Sequence, residues 1–128
     1  MRSALLLLSL LFLVACGPTI CNGPMIPTPA LWLDASAWVA AHPGDRLTAC
    51  ADGACQTLTE ADARHPVQLP PPPRTDPAKT MTLLVTDASG LRVQRDFAPV
   101  RQTISGACEV SYWKTPADLT ADGRLQPG

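Results

Sequence analysis

The segment CADGAC at residues 50–55 most constrains what this chain can fold into. Asp-Gly is a preferred two-residue turn of a β-hairpin, because a type I′ turn needs positive φ at both central positions. The two alanines would form the hydrogen-bonded pair beside the turn, and Cys50 and Cys55 the next, non-hydrogen-bonded pair. The Cα atoms of such a pair lie about 4.5 Å apart, a distance that a disulfide can bridge. The sequence therefore predicts a hairpin closed by a Cys50–Cys55 disulfide.

Short apolar and β-branched runs, separated by turn residues, lie on both sides of this hairpin. Together they indicate about six or seven strands and no long helix, which is typical of an all-β sandwich in one small domain. The candidate strands are residues 46–50, 55–59, 81–86, 91–97, 100–104 and 107–113, with a last turn at 121–123 before 124–126.

Residues 31–39 (LWLDASAWV) are open to two interpretations. Leucine, alanine and valine recur at every second position, and this period favours a strand. Thr28 and Pro29 match an N-cap followed by proline at the first helical position, so a helix is the alternative.

The N-terminus is typical of an export signal. Arg2 supplies a positive charge, and residues 4–14 are uncharged and rich in leucine. A helix that crosses a membrane needs about 20 apolar residues. This run is shorter, as in the apolar region of a cleaved signal peptide.

The end of that run, Leu13-Val14-Ala15-Cys16, resembles the lipobox of bacterial lipoproteins. The resemblance implies a diacylglyceryl group on the Cys16 thiol and cleavage just before Cys16. The mature protein would then be anchored by its acyl chains (palmitate is a typical one) on the extracytoplasmic side of the cell membrane. Gly17 does not indicate retention in the inner membrane of a two-membrane cell, so an outer-membrane location is compatible with the sequence.

The chain has five cysteines. If Cys16 is acylated, four remain, and this even number can pair completely. Four cysteines outside the cytoplasm indicate disulfides and allow three pairings. The hairpin geometry favours Cys50–Cys55, which leaves Cys21–Cys108. Since the chain from Cys16 to Cys21 reaches at most about 17 Å, the second disulfide would hold the domain close to the lipid surface.

Two histidines, His42 and His65, are the candidates for acid–base chemistry, and both precede proline in turns or loops. Histidine acts as a general base beside a nucleophile, and the sequence has no G-x-S-x-G elbow. Both histidines with Cys50 and Cys55 carry the atoms of a zinc site, but their spacing matches no common zinc motif and export favours disulfides. We therefore expect no catalytic residue, no metal and no cofactor.

Trp32, Trp38, Tyr112 and Trp113 are candidates either for a sugar-stacking platform or for the core. The aspartates are scattered, and the sequence selects no carboxylate pair. Pro70–Pro73 predicts a polyproline II segment, either a docking segment or a stiff surface loop.

A hairpin closed by C-x₄-C, a strand–Asp-x-x-Gly–strand unit and a late cysteine resemble small Ig-like lipoprotein domains. The resemblance implies an Ig-like β-sandwich over residues 30–128, behind a removed leader (1–15) and a lipidated tether (16–29). A sandwich of this type says little about activity.

The formal net charge is −1 and becomes more negative once Arg2 is removed. This charge does not favour nucleic acid, which attracts a basic stripe. We expect a lipoprotein with a binding or structural role at the cell envelope, whose partner is an envelope protein, a cell-wall polymer or a small ligand. An envelope hydrolase is the alternative.

Replacing Cys16 by Ala should release the protein from the membrane fraction or block its maturation, because the acylated thiol is lost. Fractionation and the intact mass of the mature chain measure both effects. Unchanged processing and membrane retention would contradict the lipoprotein prediction.

Overall fold

The computed structural model describes residues 30–70, 76, 78–106 and 108–128. Within these residues the strands pack as two sheets, so the prediction of a small all-β domain is confirmed. The Ig-like subclass stays a prediction. In chain order the elements are β1 (Ala30–Asp34), α1 (Ser36–Ala41), β2 (Leu47–Ala51), β3 (Ala54–Leu58), α2 (Glu60–Ala63), β4 (Val67–Gln68), β5 (Met81–Asp87), β6 (Arg92–Phe97), β7 (Val100–Ile104), β8 (Val110–Leu119) and β9 (Leu125–Pro127).

The strands form two sheets of different composition. Sheet A has the order β4-β1-β8-β7, and β9 also pairs with β8; sheet B has the order β3-β2-β5-β6. Strand β1 runs parallel to β8, whereas the other described pairs are antiparallel. The β1–β8 pair therefore joins the beginning of the described chain to its last quarter.

Alternating side chains build one core between the sheets. Leu31 and Leu33 of β1 are fully buried, and every second residue of β2 and of the first part of β5 is buried as well. Burying a side chain of this size contributes about 1.5–3 kcal/mol relative to leaving it exposed. The buried residues that form this contiguous core are Leu31, Leu33, Ala35, Trp38, Val39, Leu47, Ala49, Ala51, Leu58, Ala63, Leu69, Met81, Leu83, Val85, Phe97, Ala117, Leu119 and Leu125.

The predicted hairpin is present with its disulfide. Cys50 lies opposite Cys55 in the β2–β3 register, and the two are disulfide-bonded. Asp52 and Gly53 have φ values of 47° and 86°, as a type I′ turn requires. This local prediction is confirmed.

The strand interpretation of residues 31–39 is right as far as Asp34, whereas the alternative helix after Pro29 is wrong, because a short helix begins only at Ser36. The strand ends at Asp34, whose Oδ1 accepts a hydrogen bond from the Ser36 backbone N–H (2.9 Å) at the start of α1. The helix turns Trp38 and Val39 into the core while Ala37 is exposed, which breaks the period of two. Among the described residues, no helix has the length and apolar character needed to cross a membrane.

Two further segments differ from the sequence prediction. The interval between the predicted strands 55–59 and 81–86 contains two elements: α2, which begins with a capping box between Thr59 and Asp62, and the short strand β4. The last long strand runs on to Leu119 rather than ending at Trp113. It passes Pro116 because that residue lies between the part of β8 paired with β7 and the part paired with β9, where a missing N–H interrupts neither pairing.

Replacing Gly53 by Ala should lower the free energy of unfolding by about 1–2 kcal/mol, because a Cβ is costly in the left-handed region. An added Cβ there meets no atom within 4 Å, so the cost is confined to the backbone. Gly106→Ala is the matched control, since its surroundings are equally open and its φ is not in that region. Urea denaturation compares the two; equal effects would contradict the type I′ turn.

Candidate functional site

The outer face of sheet A carries polar and aromatic side chains in register across β1 and β8. Trp32 lies opposite Pro116, and Asp34 lies opposite Asp118. Successive strand residues point to opposite faces, so burial of Leu33 places its neighbours Trp32 and Asp34 on the outer face.

These residues line a surface cleft of about 180 Å³, which we call the Trp32 cleft. The Lys114 ammonium nitrogen lies over the Trp32 ring, 5.5 Å from its centroid, within the range of a cation–π interaction. The cleft thus combines an indole ring, a cation and carboxylates. Its lining residues are Trp32, Asp34, Pro66, Lys114, Pro116, Ala117, Asp118 and Gly128.

Asp34 and Asp118 give the cleft a distinct electrostatic character. Partial burial raises the pKa of Asp118, and the negative charge of Asp34 raises it further. A carboxyl group of this kind binds a proton, or a hydrogen-bond donor, more readily than an ordinary surface aspartate.

Two other clefts are lined by groups that already serve the fold. In the cleft between α1 and α2, the Glu60 carboxylate accepts hydrogen bonds from the Gly44 backbone N–H (2.7 Å) and from Arg64 (2.6 Å). The bond from Arg64 is the main reason that the Glu60 pKa is lowered. In the cleft beside the Cys50–Cys55 disulfide, Asp52 Oδ1 accepts a bond from the Thr82 N–H (2.8 Å).

The candidate histidines lie elsewhere. The His42 ring stacks on Trp38 with centroids 3.6 Å apart, and its Nδ1 lies 2.9 Å from the Trp38 carbonyl oxygen. The Trp38 indole in turn donates to Asp45 (2.8 Å). His65 is exposed. Neither histidine lines the Trp32 cleft or the two clefts described above.

The cysteines are engaged in disulfides where the structure describes them. Cys50 and Cys55 are bonded to each other and cannot act as thiolate ligands, which removes the zinc alternative. No group of three or more metal-ligating side chains occurs among residues 30–70, 76, 78–106 and 108–128. Cys108 is also disulfide-bonded. Its predicted partner Cys21 lies outside the described residues, as does the lipidation site Cys16.

The four aromatic candidates do not form one platform. Trp38 is in the core, and Trp113 is on the face of β8 opposite to that of Lys114. Tyr112 shares the outer face with Trp32, and its hydroxyl donates to Gln102 Oε1 (3.1 Å). Of the predicted polyproline segment, residues 71–73 lie outside the described residues.

The Asp34–Asp118 pair is the feature that sequence reasoning missed. The available signal was an aspartate beside a small or aliphatic residue in each segment, in Trp32-Leu33-Asp34 and in Pro116-Ala117-Asp118. What the pattern did not contain is the register that brings the two segments side by side.

Comparisons with known proteins add no assignment. No protein-family model matches the chain, and neither curated proteins nor solved structures give a significant match. The function therefore has to be argued from the site itself.

Replacing Asp118 by Asn should stabilise the protein at neutral pH. Because the folded-state pKa is raised, the native state holds a proton that the unfolded chain has lost, and native stability falls as pH rises from the ordinary aspartate pKa through the raised one. The gain should vanish below the ordinary aspartate pKa.

Asp122→Asn is the control for this measurement. A hydrogen bond from Thr120 lowers the pKa of Asp122, so its replacement should destabilise at neutral pH. Denaturation at neutral pH and below the ordinary aspartate pKa shows whether each substitution raises or lowers the free energy of unfolding. A loss of stability in Asp118→Asn at neutral pH would contradict the prediction.

Proposed function

We propose that the protein is a lipid-anchored binding protein of the cell envelope and that the Trp32 cleft is its binding site. The cleft itself supports a binding role, because an indole ring, an ammonium group and two carboxylates line one solvent-facing depression. Ligand sites commonly combine an apolar surface with a few polar groups that fix orientation.

The chemistry of the cleft favours a cell-wall polymer as the ligand. A sugar ring has an apolar face that can stack on the Trp32 indole, and its hydroxyls can donate to Asp34 and Asp118 and accept from Lys114. An envelope protein that presents an amino group would use the same carboxylates. The two acidic groups disfavour a strongly anionic ligand such as nucleic acid.

The proposed location at the membrane depends on the predicted signal peptide (residues 1–15) and on lipidation of Cys16. Two or three acyl chains would hold the protein at the membrane without a spanning helix. Cys108 lies in the connection between β7 and β8. The predicted Cys21–Cys108 disulfide would therefore keep that end of the domain within roughly 20–25 Å of Cys16.

Hydrolysis of the same polymer is a second candidate function, supported by the raised pKa of Asp118 beside Asp34. Glycoside hydrolases use a protonated carboxyl group as the acid and an ionised one as base or nucleophile. Asp118 would be the acid and Asp34 its partner. Soluble sugar fragments that Asp118→Asn no longer releases would support hydrolysis; binding without release supports the first proposal.

Replacing Trp32 by Ala should weaken binding of the full chain to purified insoluble cell-wall polymer by about tenfold, equivalent to 1.4 kcal/mol of lost contact. Co-sedimentation at several polymer concentrations measures the affinity. Trp113→Ala is the matched control, because this half-buried tryptophan is on the opposite face of sheet A from Trp32. Thermal unfolding verifies that both variants are folded. Equal losses, or none for Trp32→Ala, would contradict the proposal.

A further inference from the structure

Strand β7 and the first half of β8 form a ribbon at the edge of sheet A. All five residues of β7 are exposed, so neither face of this strand is covered by the core. Val100 and Ile104 are 50% and 57% exposed and are the large apolar side chains most open to solvent among the described residues. In the described part of the chain β7 pairs only with β8, which leaves the backbone groups of its outer edge without a strand partner.

The other sheet edges are less suited to pairing with a second copy. Strands β4 and β9 have only two and three residues. Strand β3 (ACQTL) is uncharged, but its one large apolar residue, Leu58, is buried, so this edge offers no large exposed apolar side chain. Strand β6 displays Arg92, Arg95 and Asp96. Short strands and charges are the usual protection of an edge. Strand β7 (VRQTI) is five residues long, contains no proline and carries a single charge.

We propose that β7 is a self-association edge, which pairs antiparallel with β7 of a second copy of this chain about a two-fold axis at Gln102. In this register Val100 of each copy lies opposite Ile104 of the other, and both apolar pairs share one face. Arg101, the only charged residue of the strand, lies opposite Thr103. Cross-strand apolar pairs stabilise antiparallel strands, whereas like charges placed directly opposite destabilise them.

Neighbouring registers are less favourable. A two-fold axis at Arg101 places this arginine opposite its own copy. An axis at Thr103 places Ile104 opposite Gln102 and leaves Val100 without an apolar partner. The side-chain sequence of β7 is therefore self-complementary in one register, which identifies a second copy as the occupant.

The contact is small, because a single five-residue strand pair lies below the area of a standard stable interface. The dimer is therefore best detected by covalent cross-linking of the two copies. In an antiparallel pair directly opposite Cα atoms lie about 4.5–5.5 Å apart, within reach of a disulfide. Gln102 faces itself across the axis, whereas the two copies of Val100 are separated by about four residues of strand, roughly 13 Å.

Single cysteine substitutions are introduced into the full chain. The cell fraction that contains the protein is then treated with an oxidant. Gln102→Cys should form a disulfide dimer of twice the chain mass. Val100→Cys and Ile104→Cys should each stay monomeric alone and cross-link when co-expressed. Gln94→Cys is the matched control, an exposed glutamine on the charged edge strand β6, and the parent chain gives the background from the native cysteines.

Charge substitutions test the register independently of geometry. In the Gln102→Cys background, Val100→Glu with Ile104→Glu places like charges opposite each other and should lower cross-linking at least about fivefold. Val100→Glu with Ile104→Lys places opposite charges there and should restore it. Both apolar residues are exposed, so the two pairs of substitutions cost the fold equally little.

Four results would overturn the proposal. One is a Gln102→Cys yield no higher than that of Gln94→Cys. The second is self-cross-linking of Val100→Cys as efficient as that of Gln102→Cys. The third is an equal loss of cross-linking in both charge variants, and the fourth is a product whose mass shows a different protein on the strand. The proposal does not depend on the ligand of the Trp32 cleft or on lipidation of Cys16.

Discussion

The parallel pairing of β1 with β8 is the contact on which the rest of the structure depends. It runs from Ala30 opposite Lys114 to Asp34 opposite Asp118, so it joins segments far apart in sequence. Strand β8 then carries β7 on one part of its length and β9 on another. The entropy lost in closing so long a loop must be offset by burial of Leu31 and Leu33 against sheet B. The charged and aromatic side chains that line the Trp32 cleft, Trp32, Asp34, Lys114 and Asp118, all belong to this strand pair.

The distance in sequence explains which features were predictable. The Cys50–Cys55 hairpin was predicted correctly, because Asp-Gly with flanking cysteines determines its own turn and register within six residues. Residues 31–39 were only half predicted: alternation is correct as far as Asp34, and the short helix begins at Ser36, whose backbone N–H donates to the Asp34 side chain. The Asp34–Asp118 pair was not predictable, because its register is set by packing of the inner face rather than by either segment alone.

The two sheets differ in the residues on their edge strands and outer faces. Sheet B has a disulfide on one edge strand and three charged residues on the other, Arg92, Arg95 and Asp96. Sheet A has the cleft on its face and an edge strand with one charge. Lys114 connects the two features, since it lies over the Trp32 ring and opposite Val100 of β7. The proposed binding cleft and the proposed pairing edge therefore lie side by side on the same sheet.

This arrangement has a consequence for binding if β7 pairs with its own copy. A two-fold axis that relates antiparallel strands in one sheet is perpendicular to that sheet, so the outer faces of both copies point the same way. Two Trp32 clefts would then face one polymer strand or one surface together. The second binding event would become intramolecular, and the overall affinity would rise without any new contact to the ligand. A shallow cleft of modest affinity would suffice for retention on a repetitive polymer, and such a polymer offers equivalent sites to both copies.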